Sequence, residues 1–141
     1  MKTQTIRASD IKRSWHIFSA KNQILGRLAT QISPLLIGKN KVYFVPHLDC
    51  GDHVVVINAK EIEVTGKKEK QKKYYRHSGY PGGLKMETLS DLRASRPEEI
   101  IKKAVWNMIP KNKLRKERMK RLYIYAGEEH PHKDKFLNTN I

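Results

Sequence analysis

Cysteine is all but missing. Cys50 stands alone, so no internal disulfide can staple the chain, and a reducing compartment, with the cytoplasm as the simplest address, is expected. Long apolar runs are missing too: nothing approaches the roughly 18 residues of a membrane-spanning helix. The opening stretch, MKTQTIRASDIKRSW, lacks the apolar segment of a secretory signal, and its acid and want of an amphipathic Arg face argue against a transit peptide. Acidic residues are scarce, 14 Asp plus Glu facing 29 Lys plus Arg for a formal charge of +15. On so small a body that charge repels itself unless a polyanion neutralises it. Nucleic acid is the commonest such partner. An anionic membrane would ask for an amphipathic helix with a bulky apolar face or a lipid signal, and neither is present, so no membrane partner is expected.

The signatures of common enzymes are also lacking. No GxGxxG or GxSxG occurs, and the one stretch resembling a phosphate-binding loop, around Gly66-Lys67, has Glu61 where the first glycine belongs and Lys68 where Ser or Thr belongs. Five residues able to ligate a metal crowd into His47-Leu48-Asp49-Cys50-Gly51-Asp52-His53, but Cys50 has no CxxC partner and the spacing fits no zinc pattern. The competing reading is a tight polar turn feeding a central strand. His130 and His132 add a weak pair of candidates. Asp49, Asp52, Glu61 and Glu63 could serve two-metal phosphodiester hydrolysis only by converging on one cleft. No catalytic residue, metal, cofactor or small-molecule substrate is therefore expected.

What is present is positive charge in two blocks. Residues 67–85, KKEKQKKYYRHSGYPGGLK, carry seven Lys or Arg against one carboxylate, Glu69. Tyr74, Tyr75 and Tyr80 offer flat rings to bases, and Gly79, Gly82 and Gly83 around Pro81 give a tight turn that another backbone can approach. Residues 111–121 hold seven basic residues in eleven, opposed only by Glu117. A lone basic run is often only a solvated face, whereas two dense ones on a small chain favour nucleic acid.

Periodicity supplies the frame. Trp15 to Phe18 is β-prone. After a turn at Asn22-Gln23, with Asn22 suited to a left-handed conformation, Leu25, Leu28, Ala29, Ile32 and Leu36 mark one face of a helix stopped by Gly38. Pro34 predicts a kink or an early end. Val54-Val55-Val56-Ile57 is uninterrupted, as in a strand covered on both faces, so strand, helix and strand form a right-handed βαβ unit. A third strand is predicted over residues 73–77, placing Tyr74 and Tyr75 on opposite faces. A short helix is predicted over residues 88–94. A longer one opens at Pro97-Glu98-Glu99 and buries Ile100, Ile101, Ala104, Val105, Met108 and Ile109. A basic arm pinned by Leu114 and Leu122, a last strand over residues 122–125 and a polar tail over residues 128–141 complete one domain with its core in residues 15–127.

Many short blocks then occur in one order: Leu25-Gly26-Arg27-Leu28-Ala29-Thr30, Pro46-His47-Leu48-Asp49-Cys50-Gly51-Asp52, Val56-Ile57-Asn58-Ala59 and Thr65-Gly66-Lys67. Tyr74-Tyr75-Arg76-His77-Ser78-Gly79, Gly82-Gly83-Leu84-Lys85, Arg96-Pro97-Glu98, Pro110-Lys111-Asn112-Lys113-Leu114, Tyr125-Ala126-Gly127 and His130-Pro131-His132 follow. In these the chain resembles the large-subunit ribosomal protein thirteen family, in its bacterial or organellar branch. The resemblance implies a three-layer α/β/α domain with a small, mostly parallel four-stranded sheet, a basic loop and a basic helical arm. It implies a non-catalytic structural role, binding 23S-type rRNA early in large-subunit assembly beside neighbouring ribosomal proteins, in the cytoplasm or in an organellar ribosome. Departures are Ser19 for a usual acid, Pro34, Arg115 for a common glycine, and an altered ending over residues 133–137.

The expected RNA ligands are Lys67, Lys68, Lys70, Lys72, Lys73, Arg76 and Lys85 on phosphates. Lys111, Lys113, Arg115, Lys116, Arg118, Lys120 and Arg121 would do the same on a second rRNA element. Tyr80 or an outward-facing Tyr would stack, Gly79, Gly82 and Gly83 would allow close approach, and His77 would either donate to RNA or serve the fold. The competing functions are an RNA-binding regulator acting off the ribosome and a metal-dependent nuclease built on Asp49 and Asp52.

Overall fold

β-Branched residues without alternation make the central strand, and the rest is arranged about it. The computed structural model describes residues 6–137; the first five residues and the last four of the expected tail lie outside the described part. Strands β1 (Trp15–Ser19), β2 (His53–Ile57) and β5 (Leu122–Ile124) form a parallel sheet in the order β1-β2-β5. Val54, Val55 and Val56 are fully buried, which explains why this strand lacks polar positions.

Helix α1 (Leu25–Ile37) connects β1 to β2 and buries Leu25, Leu28, Ala29, Ile32 and Leu36, the stripe its spacing predicts. It runs unbroken through Pro34, contrary to an early end. Proline costs the Thr30 carbonyl its helical donor, but Thr30 is exposed and water can serve it. Gly38 then caps the helix at φ 87°, its amide donating to the Pro34 carbonyl at 2.8 Å. Asn22 is left-handed at φ 56°, as predicted.

Helices α3 (Leu89–Ser95) and α4 (Pro97–Met108) pack with α1 on one side of the sheet. A capping box between Thr88 and Asp91 opens α3. Pro97 starts α4, with Glu98 and Glu99 in its first turn. The core joins Leu28, Ile32, Val54, Val56, Leu92, Ile100, Ile101 and Val105. Met108, expected in that stripe, is instead the last residue of α4 and is 44% exposed.

The four-stranded sheet is corrected. β3 (Lys73–His77) does not join the parallel sheet; it pairs antiparallel with β4 (Leu84–Thr88) in a separate two-stranded hairpin. A single-turn helix α2 (Lys68–Gln71) leads into it. The tail is corrected as well, for its aromatic residues fold back. Trp15 stacks on His53 with ring centroids 4.3 Å apart, and His132 and Phe136 close over Trp15 and Tyr123. The short helix α6 (Asp134–Leu137) thus forms a thin third layer against β1.

The connection from α1 to β2 is packed too tightly for any side chain at Gly51. A Cβ there would sit 1.8 Å from the Leu36 carbonyl oxygen and 2.7 Å from Arg121 Nη2. Gly51→Ala must therefore displace backbone, and it is expected to lower the unfolding free energy by more than about 3 kcal/mol, beyond the usual range for a point substitution. Urea unfolding of the purified chain measures this.

Candidate nucleic-acid interface

The cations predicted to bind RNA separate into two populations, divided by where the scarce carboxylates go. In the loop, Glu69 does not offset its lysine neighbours. It receives two bonds from Arg93, at 2.8 and 2.9 Å, and Arg93 also donates to the Lys60 and Ile62 carbonyls. Lys67, Lys68, Lys70, Lys72, Lys73, Arg76 and Lys85 are all exposed, and none forms an ion pair among the described residues. Their positive charge faces solvent uncompensated.

The turn at the hairpin tip is built as predicted. Gly79 and Gly82 take positive φ, 87° and 71°, and a Cβ on Gly83 would meet Ser78 Oγ at 2.1 Å. The Gly79 amide donates to His77 Nδ1 at 2.9 Å, which makes that nitrogen an acceptor and leaves Nε2–H free to donate outward. Tyr74 and Tyr75 do point oppositely. Tyr74 is half-buried, with the Lys103 ammonium 4.8 Å from its ring centre, whereas Tyr75 is 64% exposed.

In the arm, α5 (Leu114–Met119), the prediction needs correction. Lys111, Lys113, Lys116 and Lys120 are exposed, Lys120 bonding to Glu117 at 2.8 Å. Arg115, Arg118 and Arg121 are buried, their side chains turned to partners inside the body. Arg121 grips both carboxylate oxygens of Asp49 and donates to the Leu36 carbonyl. Arg118 Nε lies 3.8 Å from Asp49, and Arg118 is only 2% exposed. Burial pulls the Arg118 proton affinity below its ordinary value, and Asp49 works against that. Arg115 lies over the Trp106 ring at 3.9 Å and donates to the Trp106 carbonyl. The arm is anchored by arginines and Met119 more than by Leu114, which is only half-buried.

The polar turn before β2 thus becomes an ionic clamp. Arg13 donates to the Gly51 carbonyl at 2.6 Å and to the Asp49 carbonyl at 3.1 Å. Asp52 holds Lys41 at 2.5 Å, the Ser14 amide at 2.9 Å and His16 at 3.1 Å. Burial alone would raise the Asp52 pKa, but the bonds from Lys41, Ser14 and His16 outweigh it and hold the carboxyl below the ordinary value. The carboxylates a nuclease would need are occupied by internal cations, and no group of three or more His, Cys, Asp or Glu converges as a metal site among the described residues. Composition missed the clamp, although one signal was present: in residues 111–121 every buried cation is Arg and every exposed one is Lys.

A parallel α/β body with Asp49 and Asp52 paired to internal cations and the lysines of both basic segments left outside defines a basic α/β protein. The comparisons give the family. The profile of ribosomal protein L13 matches residues 13–131, and the chain belongs to that family. It is 50% identical over 132 residues to the large ribosomal subunit protein uL13 of Beutenbergia cavernae, covering 94% of this chain and 90% of that one. It is 53% identical to uL13 of a Psychrobacter species, with 94% and 93% covered, and 53% identical to uL13 of Thermosipho africanus, with 93% and 88% covered. No helix among the described residues is long and apolar enough to cross a membrane.

Removing Asp49 strands two buried guanidiniums. Asp49→Ala is expected to cost about 3–5 kcal/mol of stability, whereas Lys116→Ala should stay within about 0.5 kcal/mol; denaturant unfolding of the two variants compares them. A second expectation concerns acid. Because the folded Asp52 pKa is depressed, its stabilisation is fully present above the unfolded value of about 3.9 and drains away as pH falls through the lower folded value. Asp52→Asn should therefore be less stable than the parent at neutral pH, and the gap should shrink toward about pH 3 when urea midpoints are followed across the range.

Proposed function

We propose that the chain is a structural constituent of the large ribosomal subunit, binds 23S-type rRNA and supports early subunit assembly without catalysis. The observation that carries this is the uncompensated charge of the hairpin segment: Lys67, Lys68, Lys70, Lys72, Lys73, Arg76 and Lys85 exposed together with their one local carboxylate committed to Arg93. Such an array neutralises backbone phosphates and releases their counterions. The relatives' name, large ribosomal subunit protein, supplies the kind of polyanion.

The second surface is the lysine side of the arm, Lys111, Lys113, Lys116 and Lys120, with the three buried arginines withdrawn from the expected ligands. Gly79 and Gly82, with open space around them, let an RNA backbone come close, and His77 presents an outward N–H. The chain works as one unit, in the cytoplasm, beside neighbouring ribosomal proteins.

With about eight phosphate contacts, log affinity for a 23S-type rRNA transcript should fall against log salt with a slope of roughly −6, at ~0.7 per contact in single-stranded regions. Replacing Lys70, Lys72 and Lys73 together by Ala should flatten that slope by about 2. Equilibrium binding across a salt series measures both, and a slope near zero for the parent chain refutes the reading.

A further inference from the structure

Antiparallel register sorts the hairpin's side chains into two faces. Tyr74, Arg76, Lys85 and Glu87 share the face turned to α4, where they line a groove with Arg96, Glu99 and Lys103 that Tyr75 also borders. The opposite face presents three cross-strand pairs, Lys73 with Thr88, Tyr75 with Met86, and His77 with Leu84. Its middle is apolar and open: Tyr75 is 64% exposed, Met86 51% and Leu84 60%. Nothing in the body covers these residues, although other Leu, Ile and Val side chains pack tightly a few residues away. Tyr80, 76% exposed, extends the same kind of surface at the tip.

Charge and size together say what such a face fits. No carboxylate occupies any of its six positions and Lys73 stands at one end, whereas Lys72 and Lys85 turn to the Tyr74 side. A protein partner with an apolar surface would have to desolvate the Lys73 ammonium without neutralising it. Three partly exposed side chains also fall well short of the roughly 800 Å² per partner that a stable protein–protein interface buries. They match the area of one or two flat rings instead.

We infer that this outer face, Tyr75 padded by Met86 and Leu84, is a stacking platform for unpaired nucleobases of the RNA whose phosphates the surrounding lysines hold. The inference rests on the RNA-binding reading above and adds how the RNA is engaged: its bases, splayed out of the helix, lie against a tyrosine ring while its backbone runs along the cations. Stacking on a tyrosine does not depend on the phenol hydroxyl and releases no counterions, so it separates cleanly from phosphate contact.

The test uses the full chain and a 23S-type rRNA transcript across a salt series. Tyr75→Phe should bind within about twofold of the parent, and Tyr75→Ala should lose roughly 10- to 100-fold with the salt slope unchanged, as loss of one or more stacked bases requires. An exposed position makes misfolding of either variant readily checked by its thermal midpoint. A photoreactive benzophenone amino acid in place of Tyr75, incorporated into intact large subunits, should crosslink to RNA. Tyr75→Ala binding as tightly as the parent overturns the platform, as does crosslinking to protein alone. If the parent binds with a steep salt slope while Tyr75→Ala is indifferent, only the platform fails. If the parent binds no rRNA, the functional reading fails and takes the platform with it.

Discussion

Asp49 and Asp52 gather cations from three separate parts of the chain, and the architecture depends on that clamp. Arg13 binds the Asp49 backbone carbonyl, and the others bind the two carboxylates. Arg13 and Lys41 come from before and after α1, while Arg118 and Arg121 come from the far end of α5. The same turn is backbone-bonded on both sides: the Asp52 amide donates to the Leu35 carbonyl at 3.0 Å, and the Val54 amide to the Arg121 carbonyl at 3.0 Å. Strand order therefore follows from charge pairing as well as from hydrophobic burial. Arg121, just before β5, is held by Asp49 in the turn that leads into β2, which helps bring β5 to β2. Guanidiniums this deeply buried are tolerable only with a carboxylate and carbonyls around them.

That clamp has a consequence at the surface. A chain with so few acids cannot place them inside and also screen its exterior. Asp49 and Asp52 are used in the clamp, Glu69 on Arg93, and Glu87 and Glu99 on Arg96. The lysines of residues 67–85 are left bare, and on the lysine side of the arm Glu117 meets only Lys120. The isolated body then carries a self-repulsion that a polyanion removes, and a ligand that binds only the folded state stabilises it in proportion to its concentration. Stability and the proposed RNA binding would be linked through the same shortage of acid.

How much of this was legible in the sequence differs by element. The α1 stripe, the β2 run, the Pro97-Glu98-Glu99 opening of α4 and the opposite pointing of Tyr74 and Tyr75 were all readable, because each follows from local periodicity or capping. β4 was not, since Leu84-Lys85-Met86-Glu87-Thr88 alternates over only five residues with few strong strand formers, and it becomes a strand because β3 lies beside it. Placing β3 in the main sheet was the natural error, as strandedness is local whereas choice of partner is tertiary. The docked segment over residues 130–136 was hidden because it packs through the His130, His132 and Phe136 rings against Trp15, Tyr123 and Tyr125, not through aliphatic side chains. His53 shows the cost of that choice: burial, with Arg121 and Arg13 nearby, holds its pKa below the ordinary value, so the ring stacks on Trp15 as a neutral group.

The division of arginine from lysine in the arm has a physical basis that composition alone does not convey. Arg115 and Arg118 are three apart, so they emerge on one face of α5, and Arg121 continues that face past the helix end. A planar guanidinium can stack on Trp106 or fork onto Asp49; an ammonium can do neither as well and is more strongly hydrated. Arg115 and Arg121 also reach carbonyls, even though the Nε of all three arginines is left without a hydrogen-bond partner. Burying arginine and exposing lysine is thus the cheaper assignment for a helix that must be fixed to the body and still present charge. The buried arginines hold α5 rigid, and rigidity is what lets Lys113, Lys116 and Lys120 act as a surface of fixed shape. Counting seven cations in this segment overstates its reach for phosphate, because three of them are the reason the other four stay in place.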